Sequence, residues 1–160
     1  MNIFFLSKDP IKAAQLQCDK HVVKMILESA QMLSTCHHAN GTSLDTDVLY
    51  KQTHLNHPSS VWARASLKNY TWLYEHFIAL CDEYTHRYGK VHLSDTKFRK
   101  LFKTAPFMSC DKPTTFTKPP KCMPDEYKVG SVVQSYQAYY YYTKRSFAKY
   151  TNRPCPGFML

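Results

Sequence analysis

His21, Lys24 and Glu28 recur at three- and four-residue steps in DKHVVKMILE, a run otherwise apolar enough for a core. Seven residues make close to two helical turns, so His21 and Glu28 point the same way with Lys24 between them. An imidazole, an ammonium and a carboxylate on one stripe can move protons and stabilise a developing positive charge. With His21 at 0° and about 100° per residue, Gln17, His21, Lys24, Glu28, Gln31 and Thr35 fall between roughly −80° and 0°. Cys18, Val22, Met25, Ile26, Ala30, Met32 and Leu33 occupy roughly 20° to 180°, and Val23, Leu16 and Leu27 extend the apolar sector to about 240°. So narrow a polar seam fits a helix that lines a cleft. The competing reading is a solvated edge carrying a Lys24–Glu28 pair worth about 0.3 kcal/mol.

Further candidates lie along the chain. Arg64 and Lys68 are four apart and suit phosphate contacts, and Asn69 suits a base edge. Trp62 and Trp72, in the same stretch, read first as core. His57, directly before Pro58 at a helix start, is the histidine placed to meet substrate. His37-His38 and His54-x-x-His57 match no zinc spacing, and the six cysteines include no C-x-x-C pair, so no metal is expected. Lys121 is a further candidate for contact with substrate. Asp125 and Glu126 either pair with Glu28 or form the acidic first turn of a helix. In SYQAYYYYTKRSFAKY, Tyr136, Tyr139, Tyr140 and Phe147 share a face as core, leaving Tyr141 or Tyr142 to stack on bases.

Three long helices carry these residues. Asp9-Pro10 is a helix start, and the pattern predicts a first helix from Pro10 to His37, stopped at Asn40-Gly41. Ser59 or Ser60 caps a second that ends at Gly89, and a third runs from Ser131 to Tyr150. A short helix is expected over 95–102. MNIFFLS is a short extended N-terminus, and residues 104–128 hold five of the nine prolines in a long Pro/Lys-rich loop before the last helix. The expectation is an all-α fold in a single helical domain over residues 1–160.

Residues 1–89 carry eight Lys/Arg against eight Asp/Glu, and residues 90–160 carry thirteen against four, so the net charge of +9 sits in the C-terminal part. That asymmetry points to a polyanion, DNA above all, or to a phosphate-bearing nucleotide. With no membrane-length apolar run and no signal peptide, the chain reads as a cytoplasmic monomer with reduced cysteines.

Asp19, His21, Val22 and Glu28 resemble the Asp-x-His-Leu…Glu signature on the first helix of the pyrimidine-dimer DNA glycosylases of the endonuclease V type, small phage and algal-virus enzymes. Arg153-Pro154 is similar to a pair that precedes their aromatic tail. HPSSVWARASLKNYTWL, CDEYTHRYGK and MPDEYK also resemble uncharacterised phage and large-virus proteins placed near them. The resemblance implies DNA repair chemistry without a cofactor: an N-terminal amine attacks C1′ of the damaged nucleoside to form an imine, and the Glu handles charge and protons. α-Amines as a class have a pKa near 8 and need little activation. Glu28 takes the place of that Glu, the Met1 amine that of the nucleophile, and His21 orients or shuttles a proton. Lys24 and Arg64 would hold phosphate, and Gln31, His57, Asn69, Lys121 and Asp125 would meet substrate. Leu27 and Gln31 stand where the family has arginines, and Phe158 is what remains of the aromatic tail. An N-glycosidase or base-exchange enzyme acting on free nucleosides fits the same residues. So does a non-catalytic basic DNA-binding protein.

Overall fold

A computed structural model describes residues 1–108 and 113–160, so part of the Pro-rich loop, including Cys110, lies outside the described residues. The fold is all-α. Its helices are α1 (Pro10–Gln15), α2 (Asp19–Asn40), α3 (Pro58–Ala63), α4 (Leu67–Tyr88), α5 (Leu93–Phe98) and α6 (Val132–Lys144), of which α2, α4 and α6 are long. The two 22-residue helices α2 and α4 pack along each other, and α1 lies against α4. Among the described residues no helix is long and apolar enough to cross a membrane.

Two of the expected long helices are broken, the second for a local reason. Asp9 caps α1 by accepting from the Ile11 and Lys12 amides, but the helix stops at Gln15 and α2 starts afresh after Cys18. The second expected helix divides at Arg64–Ala65, because Ser66 caps α4 by accepting from the Asn69 amide. The Asn69 side chain then donates to the Trp62 carbonyl, the group an unbroken helix would have paired with residue 66. His57, rather than Ser59 or Ser60, caps α3 through its ring Nδ1. The last helix ends at Lys144, six residues short of Tyr150.

The short N-terminal segment is part of the buried core. Ile3, Phe4, Phe5 and Leu6 are all buried, each contributing about 1.5–3 kcal/mol of apolar burial. Phe4 takes a left-handed backbone (φ 56°), which strains a residue with a side chain. Three contacts hold it there: its ring stacks on His21 at 4.3 Å, its amide donates to Asn2 Oδ1, and its carbonyl accepts from Leu6.

Behind the core, Arg87 is fully buried between Glu83 (2.8 Å) and Asp19 (2.9 Å), and Arg153 grips Glu83 through two nitrogens. Asp19 also accepts from the Thr151 amide and hydroxyl. This network straps the C-terminal residues to the starts of α2 and the end of α4. Removing one partner of such a buried set leaves an uncompensated charge and costs about 3–5 kcal/mol.

Candidate active site

The chain begins against Glu28. The Met1 amine lies 3.8 Å from Glu28 Oε2, and the Asn2 amide donates to that same oxygen at 3.0 Å. The other oxygen, Oε1, faces Lys24 Nζ at 3.4 Å, on a side chain that is largely in solvent. Glu28 keeps 13% of its side chain exposed, so the carboxylate is reachable yet only thinly screened.

Several elements place the amine. The Asn2 side chain donates to the Cys122 carbonyl at 2.9 Å and accepts from the Ile3 and Phe4 amides. The Met1 thioether packs against the Ser60 hydroxyl at the start of α3. The segment around Cys122 is held in turn by Tyr136, whose hydroxyl donates to the Pro120 carbonyl and accepts from the Cys122 amide. His57 stands close enough for both groups to act on its ring: burial lowers its pKa first, the N-terminal ammonium lowers it further, and Glu28 opposes them. Since Nδ1 accepts the Ser59 amide, the neutral ring carries its proton on Nε2. An amine and a carboxylate thus meet where α2, α3 and the Pro-rich segment converge, with the His57 imidazole at the cap of α3 within electrostatic reach of both.

A family model described as pyrimidine dimer DNA glycosylase matches residues 1–97. The chain belongs to that family. Membership places it among DNA glycosylases, enzymes of DNA repair, with DNA as substrate. No curated protein and no solved structure matches the chain. The matched residues carry Met1, Glu28, His57 and all of α1 to α4, while the Pro-rich segment and α6 lie beyond them.

The remaining candidates separate by position. His21 is buried under Phe4, with Nδ1 hydrogen-bonded to the Tyr140 hydroxyl, and burial lowers its pKa to about 4. That setting makes it a support for the strained N-terminus. Asn69 does not line a cleft: it is fully buried, donates to the Trp62 carbonyl and the Thr117 hydroxyl, and accepts from the Thr117 amide. Its side chain is used up in tying the Pro-rich segment to α3. Arg64 donates to the Leu55 carbonyl at 2.6 Å. Asp125 lies on the surface, paired with Lys128 at 2.6 Å rather than with Glu28. Lys121 donates to the Gly130 carbonyl, and Gln31 is half-buried one turn beyond Glu28.

The seam itself opens on one side only. Val23 (40%) and Leu27 (41%) are exposed, where the angular pattern had assigned them to the apolar sector, so solvent reaches Glu28 past them. Sequence reasoning missed Asn2, Ser60 and Cys122. A polar residue at position 2, ahead of an apolar IFFL run, was the one signal available for Asn2.

Proposed function

We propose that the chain is a DNA glycosylase with an associated lyase activity on damaged or modified pyrimidine nucleotides, using the Met1 amine as nucleophile and Glu28 as its carboxylate. The observation that carries the reading is the amine held 3.8 Å from Glu28 Oε2, with the Asn2 amide on the same oxygen. Holding the two groups in one geometry supplies the orientation that catalysis of this kind requires.

In the proposed course the neutral amine adds to C1′, the bond from C1′ to the base nitrogen breaks, and the departing base takes its electron pair and then a proton. Glu28 stabilises the positive charge that builds on the sugar. Opening of the sugar ring gives an imine between the Met1 nitrogen and C1′. Loss of a C2′ proton then expels the 3′ phosphate, and water hydrolyses the imine to free the amine. Glu28 is the proton carrier in these later steps. His57, which carries its proton on Nε2, is the neutral imidazole within electrostatic reach of the amine and Glu28. Lys24, on the open side of Glu28, is suited to a backbone phosphate. The target nucleotide must leave the stack to reach a site at this depth.

Borohydride reduction of the reaction on a duplex with a pyrimidine dimer, and separately with an abasic site, tests the imine. A covalent adduct whose peptide map places the DNA on Met1 is expected. Base release with no reducible adduct would remove the amine mechanism, and binding without base release would leave a non-catalytic DNA-binding protein.

A further inference from the structure

On the other side of the Pro-rich segment from the amine lies an open groove of about 1170 Å³, walled by the N-terminal segment, the first half of α4, residues 116–121 and the start of α6. Its floor is aromatic. Phe5, Trp72 and Phe116 lie ring against ring, with Phe5 4.9 Å from Trp72 and 6.2 Å from Phe116. Trp72 is fixed by donating its indole N–H to the Lys8 carbonyl, and Phe116 remains 41% exposed over it.

The rim is cationic. Lys8, Lys68, Lys118 and Lys121 come from three different walls, and among the described residues Glu75 is the one acid that lines the groove with them. Lys8, Lys68 and Lys118 are exposed and have no ion-pair partner among the described residues. The groove also adjoins the candidate active site. Lys121 faces it, while the next residue, Cys122, turns its carbonyl to Asn2.

We infer that this groove binds an unpaired stretch of DNA, with bases against the Phe116–Trp72 floor and phosphates on the lysine rim. Recessed aromatic rings offer stacking only to bases that are free of a partner strand, and lysines on several walls suit a backbone that follows the groove. The inference extends the glycosylase reading, because extruding a nucleotide leaves unpaired DNA beside the site. It uses no part of the amine mechanism.

The protein supplies its own reporter. Its two tryptophans are Trp72, on the floor, and Trp62, whose ring lies 5.9 Å from Phe116. Titrating the full chain with a single-stranded oligothymidylate of about eight residues should quench tryptophan fluorescence. Four lysine–phosphate contacts predict a salt slope near −2.8, from about 0.7 per contact on single strands. The Lys68→Gln/Lys118→Gln double variant should lower that slope by about 1.4 and weaken binding at least tenfold. Phe116→Ala should weaken binding with the slope unchanged. Unaltered oligonucleotide affinity in the double variant would overturn the inference. So would equal quenching by inorganic polyphosphate, or by a blunt duplex of the same length. Glu28→Gln should bind the oligonucleotide as the wild type does, so a failure of the catalytic reading leaves this measurement intact.

Discussion

Replacing Glu28 with Gln isolates the charge at the candidate site. The amide carbonyl of Gln still accepts the Asn2 N–H, so the N-terminus keeps its anchor while the negative charge opposite the amine disappears. At 3.8 Å and an effective dielectric near 20, a unit charge pair is worth about 4 kcal/mol, and at bulk-water screening about 1 kcal/mol. Glu28 is 13% exposed, which puts the loss toward the upper figure. A cationic C1′ in bonding range of the amine sits at comparable distance from Glu28, so the transition state loses a similar amount. At about 1.4 kcal/mol per decade this is a fall of roughly 10²- to 10³-fold in the chemical step. Single-turnover base release on a dimer-containing duplex measures it, and thermal unfolding checks that the variant is folded. A folded Glu28→Gln protein that turns over within tenfold of wild type would refute the role given to the carboxylate.

Other perturbations probe the same framework. Adding one residue before Met1 moves the amine by up to about 3.5 Å and should abolish the reducible adduct while DNA binding persists, as gel shift would show; an undiminished adduct would mean that another nitrogen reacts. Asn69→Ala removes three hydrogen bonds, one buried and two partly buried, at about 1 kcal/mol each and should lower stability by about 3 kcal/mol while exposing residues 113–121 to proteolysis. His21, His37 and His76 are pushed by burial from 6.5 to about 4. Above pH 6.5 both folded and unfolded chains hold these rings neutral. As pH falls from 6.5 toward 4 the unfolded chain takes up protons that the folded one refuses. Stability therefore drops by up to about 3 kcal/mol per ring, and urea midpoints at pH 7.5 and pH 5 should differ accordingly. Equal midpoints would show that the three rings are not buried neutral.

The all-α class, the cap at Asp9 and the start of the last helix near Ser131 were legible in the sequence, since each rests on local chemistry or helical period. The seam of α2 was legible only in part, because Val23 and Leu27 of its apolar sector are exposed. The breaks at 16–18 and 64–66 were not legible. In the second, a side chain from the next turn takes over a backbone carbonyl, and no periodicity records that exchange. The same limit explains Asn69, whose residue type suits a base edge but whose burial commits it to Thr117, 48 positions away.

By itself the sequence determined that a carboxylate would lie on the polar stripe of a long helix and that an N-terminus rich in apolar residues would precede it. Those facts follow from helical geometry and hydrophobicity alone. Only the tertiary structure decided what Glu28 faces. A left-handed turn at Phe4, stacked on His21, brings the first residue back against α2, and the Cys122 carbonyl, 120 residues away, holds Asn2 in place. Such placement depends on groups distant in the chain sharing one packed core, and local pattern does not encode that distance.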